Sequence, residues 1–469
     1  MKKIILIIIF SIFLYLPSLN VFFSGDDFFH LRVSQIDNFG DFPSFFSFEK
    51  NVHSASFYRP LTTQTFFYLG QKIFGFNPFG YHVVSLIFFG ILLFLVYLLA
   101  KKLFKDEKIA LLTLFFYAFS ISHFAQVYYL SAFQELGMAV FYFAGLLFWF
   151  KFLEKGKLTT YLLLLIAYLL SLLSKETAVT FPLIAAALAV YQKKQKQLIF
   201  LLPLLLIEVV YLYFRLFRFG GVVGESYLWD FSPKIFNTLF WYGVWAIGIP
   251  EMFLDFIGPK LAISPKLLLY YGTYTKIIFT SFGVFLLISL ALFFKNLKKR
   301  LCFYVVCCLL FVVALLPVLF LPWHKFPLEL TIPLLLVALF LGRLFGKAGR
   351  MIVVFGLIFF SILNITSYFL TYKTHWVISR GEVTQKVISY FAKEYPAFPK
   401  GKEVYFYNDS AFITEGWGAS QHISVALSGS DALQVFYHDP KIKVYYQDLD
   451  GEQKGENLIR LGTKEFLGY

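Results

Sequence analysis

Long apolar runs alternate with short polar turns along most of the chain. A helix needs about 20 apolar residues to cross a bilayer, and runs of that order recur from residue 4 to residue 370. They predict eleven spans, at 4–23, 81–100, 109–128, 133–150, 159–174, 177–191, 198–214, 275–294, 301–321, 328–345 and 351–370. The pattern therefore predicts an all-α polytopic membrane protein.

Basic residues gather in the turns that lie on one side of these spans. The clusters are Lys2-Lys3 and the turns at 101–108, 151–157, 193–196, 295–300 and 343–350. Because cytoplasmic loops carry the excess of Lys and Arg, this side is predicted to be the cytoplasm, and the N-terminus lies there. The loops 24–80 and 215–274 and the segment 371–469 then lie outside.

Two apolar segments admit another interpretation. Residues 236–250 form a run of only about 15 residues, too short for a span, and are predicted to be an interfacial or re-entrant helix. Lys2-Lys3 and the run after it also resemble a secretory signal peptide, although no cleavage site of small residues follows. We favour a retained first span.

The character of the chain changes after residue 370. Charge rises, and short alternating segments appear between Asn, Asp, Gly and Pro breaks. The segments are 403–407, 423–427, 433–437, 442–446 and 458–461. Residues 1–370 are therefore predicted to form the transmembrane domain, and residues 371–469 a small extracytoplasmic α/β domain.

Composition supports a membrane protein and excludes several other classes. Of 469 residues, 59% are hydrophobic and 15% are charged, whereas soluble domains are about 25% charged. The net charge of +14 is spread over six turns, which argues against a nucleic-acid partner. The three cysteines, Cys302, Cys307 and Cys308, share one predicted span, so no disulfide framework is expected.

Two adjacent carboxyl groups, Asp26 and Asp27, directly follow the first span. A carboxylate in a partly dry cleft has a raised pKa and is suited to general base catalysis. An equally weighted alternative is a solvated loop in which Asp27 caps the next helix.

Further ionisable residues lie at the predicted outer ends of spans, where they are costly and are functional candidates. They are Arg59, His82, His123, Glu135, Lys175, Glu176 and Arg215. The planar fork of Arg59 suits a phosphate, and Lys175 suits one as a point charge oriented by Glu176. Packing for Arg59, a structural role for His82 and an exposed ion pair for Lys175 remain open alternatives. Glu135 has three open roles: a sugar hydroxyl, a cation partner, or helix N-terminus electrostatics.

Several of these motifs resemble the GT-C class of integral membrane glycosyltransferases, which use polyprenyl-phosphate-linked sugars. The closest resemblance is to the transmembrane O-mannosyltransferases and related bacterial enzymes. It rests on Asp26-Asp27, the stretch from Tyr58-Arg59-Pro60 to His82, the His123 to Glu135 turn, Ser174-Lys175-Glu176-Thr177, and Arg215 ahead of Gly220-Gly221. It covers about residues 1–260, and Ala132-Phe133-Gln134 departs from the more basic turn of the mannosyltransferase branch.

The resemblance implies transfer of a sugar, with inversion, to an acceptor hydroxyl at the outer membrane face. Asp27 or Asp26 is then the general base, and Arg59, Lys175 and Arg215 bind the donor phosphate. Glu135, His123, Glu176 and His82 are implied to bind sugar or acceptor. The acceptor is a glycan, lipid or protein, and the location is the bacterial plasma membrane.

No metal is required chemically, because phosphate is already a competent leaving group. A divalent cation on Asp26 and Asp27 stays open, since hard cations prefer carboxylate oxygens.

Two other functions remain as alternatives to this transferase. One is a polymerase or ligase that uses a diphosphate-linked glycan, for which the loop 215–274 is only moderately basic. The other is a flippase or transporter of lipid-linked sugar, which predicts broken helices at mid-bilayer and inverted repeats.

Overall fold

A computed structural model describes residues 2–55, 57–220, 225–258, 262–409, 413–414 and 417–468. Gly221 of the Gly220-Gly221 pair lies outside these residues. The helices of the amino-terminal part are α1 (Lys2–Tyr15), α2 (Asp26–Val33), α3 (Phe66–Phe74), α4 (Pro78–Phe104), α5 (Glu107–Ala118), α6 (Phe124–Tyr128), α7 (Phe133–Lys155), α8 (Leu158–Leu172), α9 (Phe181–Tyr191), α10 (Leu202–Tyr213), α11 (Lys234–Ile247), α12 (Pro265–Leu319), α13 (Thr331–Gly346), α14 (Arg350–Thr374) and α15 (Trp376–Glu394). Short 3₁₀ or π turns join many of them, among them Leu16–Asn20, Leu61–Thr65, Glu176–Thr180, Phe214–Phe219 and Pro327–Leu330.

The apolar helices confirm the predicted fold class. Within the described residues, eight helical segments are long and apolar enough to cross a membrane, or nine if the pair Glu107–Ala118 and Ile121–Tyr128, bent by 52°, counts as one span. Two shorter apolar helices, Leu158–Leu172 and Glu176–Tyr191, occupy the predicted fifth and sixth spans. Each of the eleven predicted spans therefore overlaps an apolar helical segment.

The predicted turn at 295–300 differs from the structure. Apart from a kink at Tyr271, helical backbone continues from Pro265 to Leu319, with the apolar segments Pro265–Leu297 and Arg300–Leu319 on either side of the basic residues. Lys and Arg are good helix formers, so a basic cluster between two apolar runs does not by itself end a helix.

Small residues let the spanning helices approach closely, as is usual where helices pack in a membrane. Gly342 and Gly346 of α13 lie directly against Thr113 and Ile109 of α5, so closely that a methyl group at either glycine would clash with those side chains. This contact fixes α13, and with it the preceding turn Pro327–Leu330, against the amino-terminal helices.

The segment predicted as an interfacial helix forms α11. Thr238, Trp241 and Trp245 are buried, whereas Phe236 and Phe240 are exposed. Fourteen helical residues rise about 21 Å, which is shorter than the hydrocarbon core of a bilayer. Interfacial placement of α11 stays a prediction.

The carboxy-terminal segment is a small α/β unit. Its elements are β1 (Glu403–Tyr407), β2 (Ile413–Thr414), β3 (Trp417–Gly418), α16 (Ala419–Leu427), α17 (Asp431–Tyr437), β4 (Val444–Tyr446), α18 (Gln447–Asp450), β5 (Leu458–Gly462) and α19 (Lys464–Leu467). A parallel sheet has the order β4-β1-β5, with Val404 paired to Val444 and to Ile459, and β2 pairs antiparallel to β3.

Two of the five alternating segments form helices of this unit and the other three contain its parallel strands. Residues 423–427 and 433–437 lie in helices α16 and α17. In α16 the buried residues Ala419, Ile423 and Ala426 recur at helical spacing, and five-residue alternation is too short to distinguish the two periods. The boundary at residue 370 stays a prediction, because α14 continues through it to Thr374.

The α/β unit packs against the loop that follows the first span. Gly25 N–H donates to Ala426 O at 2.8 Å, and Arg32 Nε lies 2.7 Å from Asp431 Oδ1. Gly25 has φ of +55°, a conformation that glycine adopts without the steric cost of a Cβ. The start of α2 is thereby held between the membrane helices and the α/β unit.

Candidate functional site

A cavity of about 1220 Å³ lies where the first external loop, the turns between spans and the α/β unit meet. Its lining includes Asp26 and His30 of α2, and Arg59 of the external loop 24–80. Lys175 and Glu176 line it from the turn between α8 and α9, and Glu329 from the turn before α13. Residues predicted from three separate motifs are thus brought together with Glu329, which no motif predicted.

The two adjacent aspartates have opposite environments. Asp26 is exposed and lines the cavity. Asp27 is only 2% exposed; it accepts hydrogen bonds from Ser24 N at 3.0 Å and from Ser131 N and Oγ at 2.7 and 2.6 Å. Burial raises the pKa of Asp27 to about 7, although the bonds from Ser131 and Ser24 act in the opposite direction. Asp27 ties α2 to the turn before α7, whereas Asp26 remains exposed in the cavity.

His30 extends the hydrogen-bonded chain from Asp27 to the cavity wall. Its Nδ1 lies 3.1 Å from Ser131 Oγ, whose one hydrogen is donated to Asp27. We therefore assign the hydrogen to Nδ1, which leaves Nε2 as an acceptor. Burial lowers the pKa of His30 to about 4, so the ring is neutral at pH 7. Asp26 and His30 are four residues apart on α2 and lie on one helix face.

Arg59 is bound to a carboxylate and an amide. Its Nε donates to Glu176 Oε2 at 2.8 Å, its second terminal nitrogen donates to Glu176 Oε1, and its first donates to Gln134 Oε1. The guanidinium also lies 4.0 Å over the ring of Phe57. Most of the guanidinium's hydrogen-bond donors are therefore occupied. Arg59 thus does more than pack against its neighbours, and few of its donors remain for a phosphate.

Lys175 is also paired, and is more deeply buried. Only 2% of its side chain is exposed; its Nζ donates to Glu135 and, at 2.9 Å, to Glu329 Oε2. The hypothesis of an exposed ion pair is wrong for Lys175. Of the three roles considered for Glu135, the structure shows the cation partner.

The charges of this cluster have a direct consequence for anion binding. Two cations, Arg59 and Lys175, contact three carboxylates, Glu135, Glu176 and Glu329. With all five groups ionised the cluster carries a net charge of −1, so it does not attract a phosphate through its net charge.

The remaining predicted residues lie away from the cavity lining. Arg215 is buried, and its guanidinium donates to Gly220 O and lies 5.5 Å over the ring of Phe219. His82 bridges Val127 O and Val21 O at 3.2 and 3.1 Å, which matches its structural alternative.

His123 is buried between Gln126 Oε1 and Tyr117 O, at 2.9 Å from each. Its ring therefore holds the bend between α5 and α6 and does not contact the cavity. The binding roles predicted for Arg215, His82 and His123 stay predictions, without support from these contacts.

Sequence reasoning missed several cavity residues. Ser131, Glu329, Lys325 and Arg380 line the same cavity. Glu329, like Glu135, is an acid at the predicted outer end of an apolar run. A search of every predicted span for such acids identifies Glu329 as a functional candidate. Arg380 lay in a segment treated as a separate domain. Within the described part of the chain, no group of three or more His, Cys, Asp or Glu side chains has a geometry that could hold a metal ion.

A known protein family matches the segment of the chain that contains Arg59 and Lys175. The family described as dolichyl-phosphate-mannose-protein mannosyltransferase matches residues 58–217. No curated protein matches the chain in sequence.

Solved structures show only distant similarity. The oligosaccharyltransferase of Archaeoglobus fulgidus in its apo form is 12% identical, with a TM-score of 0.47, over 96% of this chain and 65% of that one. ArnT from Cupriavidus metallidurans in the apo state is 10% identical, with a TM-score of 0.40, over 94% and 85%. The chain thus covers less than two thirds of the oligosaccharyltransferase, and scores this low carry no argument about activity.

The family match covers Arg59, Glu135, Lys175 and Glu176, four of the five residues of these ion pairs. The resemblance of this chain to membrane glycosyltransferases is therefore confirmed, and its basis in sequence is the match of residues 58–217 to the mannosyltransferase family.

Proposed function

We propose that this protein transfers a sugar from a polyprenyl-phosphate donor to an acceptor hydroxyl at the outer face of a bacterial plasma membrane. The observation that carries the proposal is the carboxylate of Asp26, exposed in a cavity beside a segment that matches the mannosyltransferase family. The N-terminus is then cytoplasmic, and the α/β unit extracytoplasmic.

Asp26 is the proposed general base. An alcohol is a weak nucleophile at neutral pH, so a carboxylate must accept its proton as the oxygen attacks the anomeric carbon. The new bond joins that oxygen to the anomeric carbon, and the bond from this carbon to the phosphate oxygen breaks. The lipid phosphate leaves with the electron pair and Asp26 holds the proton. One displacement inverts the anomeric centre.

Asp27 is proposed as a positioning residue. Three hydrogen bonds occupy its two carboxylate oxygens, and its side chain is buried away from the cavity. Its contribution is to hold α2 against the turn at Ser131, so that Asp26 and His30 present one face to the substrates. Preorganised geometry of this kind contributes to catalysis because it removes the need to reorganise during reaction.

The leaving phosphate needs a cation near the membrane surface. Arg59, Lys175 and Arg215 remain the residues predicted for this role. Lys325 is better placed electrostatically, because it lines the cavity and, among the described residues, its Nζ donates to neutral oxygens alone, Asn237 Oδ1 at 3.2 Å and Pro322 O at 3.0 Å. Asn237 belongs to α11, the helix predicted to lie at the membrane interface.

The test is sugar transfer from a panel of radiolabelled polyprenyl-phosphate sugars in membranes that contain the wild-type protein or a variant. We expect Asp26→Asn to lower turnover by about 10²- to 10⁴-fold, the range for loss of a general base, with donor binding retained. Asp41→Asn, an exposed acid of the same external loop, is the matched control and should retain wild-type turnover. EDTA in a parallel reaction tests the divalent cation left open at Asp26 and Asp27.

Two outcomes count against the proposal. Full turnover by Asp26→Asn removes Asp26 as the base, and a much larger loss in Asp27→Asn at unchanged thermal stability returns that role to Asp27. If the wild type consumes no donor while labelled lipid crosses the membrane, a flippase replaces the transferase.

A further inference from the structure

The cations that line the cavity fall into two groups. Within the described residues there are four Lys or Arg side chains in the lining: Arg59, Lys175, Lys325 and Arg380. Arg59 and Lys175 form ion pairs with carboxylates. Arg380 instead lies 4.5 Å over the ring of Trp376, and no ion pair joins it to any described residue.

Arg380 lies on the same side of the cavity as Asp26. The backbone N–H of Asp26 donates to the hydroxyl of Tyr129 at 3.1 Å, and the ring of Tyr129 packs against Trp376 with centroids 5.0 Å apart. The guanidinium of Arg380 lies over the ring of the same indole. Three consecutive contacts therefore connect the proposed base to an arginine without a carboxylate partner.

Arg380 also lies on the water side of the predicted membrane boundary. The last predicted span ends at residue 370, and α15, which carries Arg380, begins at Trp376. That helix packs on α16 of the α/β unit, where Thr384 Oγ1 donates to Ala426 O at 3.1 Å. Ser424 and Ser428 line the cavity next to it. Lys325, by contrast, lies in the turn between α12 and α13, close to the ends of two spans.

These positions separate two places for an anion. A lipid-anchored donor keeps its phosphate near the membrane surface, where Lys325 lies, whereas an acceptor enters from the aqueous side and must present a hydroxyl to Asp26. A partly buried guanidinium without a counter-ion is costly, and its planar donors fit the oxygens of a phosphate or carboxylate.

We propose that Arg380, stacked on Trp376, binds an anionic group of the acceptor, so that the substrate class is an acidic acceptor whose phosphate or carboxylate sits beside its nucleophilic hydroxyl. This inference rests on the proposed function, because an acceptor exists only if the protein is a transferase. The anion site itself is tested by binding alone.

The experiment compares binding of glucose and glucose 6-phosphate to the purified full chain in detergent, by calorimetric titration. The two probes share a sugar and differ in one anionic group, and glucuronic acid adds a carboxylate in place of the phosphate. We expect glucose 6-phosphate to bind the wild type at least about tenfold more tightly than glucose, as a charge-assisted contact provides. Arg380→Gln should remove this preference, and Arg380→Lys should restore part of it.

Arg460→Ala is the matched control, because Arg460 also stacks on an aromatic ring, Tyr405 at 5.2 Å, but lies exposed on the sheet. It should keep the wild-type preference. Equal binding of glucose and glucose 6-phosphate by the wild type, or no binding of either, overturns the proposal. So does an unchanged preference in Arg380→Gln.

A second arm distinguishes acceptor from donor. Binding of a polyprenyl phosphate should be unchanged in Arg380→Gln and weakened in Lys325→Gln. The reverse result assigns Arg380 to the donor and overturns the acceptor assignment. Failure of donor turnover in the wild type, with the preference for glucose 6-phosphate intact, contradicts the transferase and leaves the anion site standing.

Discussion

At the scale of single residues, two neighbouring aspartates have different surroundings because successive residues of a helix point in different directions. Asp26 faces the cavity, whereas Asp27 is enclosed by the backbone of Ser24 and by Ser131. Only the buried carboxylate contributes to the packing of α2. The same sequence pair therefore yields one group free to react and one that fixes its neighbour.

The first prediction concerns pH dependence. Asp27 has a folded pKa of about 7, above that of an unfolded chain, so its contribution to stability falls as pH rises from about 4 to about 7. His30 has a folded pKa of about 4, below its unfolded value, so its contribution rises with pH over nearly the same window. The two slopes oppose each other in the wild type.

Substitution of either residue alone should reveal the pH dependence of stability that the other residue causes. The melting temperature of Asp27→Asn, measured from pH 4.5 to pH 8, should rise with pH relative to the wild type, and that of His30→Gln should fall. Parallel curves for both variants and the wild type contradict the assignment. Asp41→Asn, which removes an exposed acid, serves as the control.

At the scale of elements, one buried ion network joins four segments. Lys175 holds Glu135 at the start of α7 and Glu329 in the turn before α13, while Arg59 holds Glu176 at the start of the turn before α9. Charges this deeply buried are tolerated because they are paired.

The second prediction follows from that pairing. Lys175→Met removes the cation and leaves two buried carboxylates, so we expect a loss of about 3–5 kcal/mol in stability, measured as a lower melting temperature in detergent. Lys102→Met is a matched control, because Lys102 pairs with Glu154 at an exposed site and exposed pairs contribute only about 0–1 kcal/mol. Recovery of stability in the double variant Lys175→Met, Glu135→Gln is expected, and its absence contradicts a mechanism through unpaired charge.

Elements differed in how well the sequence predicted them. The spans were predicted because a run of about 20 apolar residues has few alternatives in a membrane. The alternation in residues 423–427 and 433–437 left helix and strand undecided, because five residues of alternation fit both periods. Packing of α16 against α15 and of α17 against α2 decided the outcome.

At the scale of the whole molecule, the α/β unit completes the cavity. It contributes Ser424, Ser428 and the neighbouring backbone to the lining, and it holds α2 through the ion pair of Arg32 with Asp431. A deletion of this unit therefore removes part of the site as well as a domain.

The third prediction tests this docking. Asp431→Ala and Arg32→Ala should each speed proteolytic cleavage of the α/β unit, and the double variant should be no faster than either, because both remove one interaction. Additive effects contradict a direct role for the pair. The expected effect is modest, about 1 kcal/mol, since the Arg32 side chain is 35% exposed.

The fourth prediction concerns membrane orientation. In a variant without its three native cysteines, a cysteine introduced at Lys155 should resist an impermeant thiol reagent in intact cells, and one at Lys400 should react. The physical reason is that the basic turns are retained in the cytoplasm. Labelling at Lys155 with protection at Lys400 inverts the proposed topology and places Asp26 on the other side.

The sequence by itself determined the membrane class, the positions of the apolar helical segments and four of the nine Asp, Glu, Lys and Arg residues that the structure describes in the cavity lining. These follow from local properties, namely the length of apolar runs and the cost of charge within them. The resemblance to glycosyltransferases likewise followed from short motifs.

Only the tertiary structure decided which aspartate faces the cavity, which carboxylates neutralise Arg59 and Lys175, and which cavity cations have no carboxylate partner among the described residues. Each of these depends on contacts between residues far apart in the chain, such as Lys175 with Glu329 and Asp26 with Tyr129. Charge in a sequence is counted residue by residue, whereas the charge that a substrate meets depends on which groups the fold has already paired.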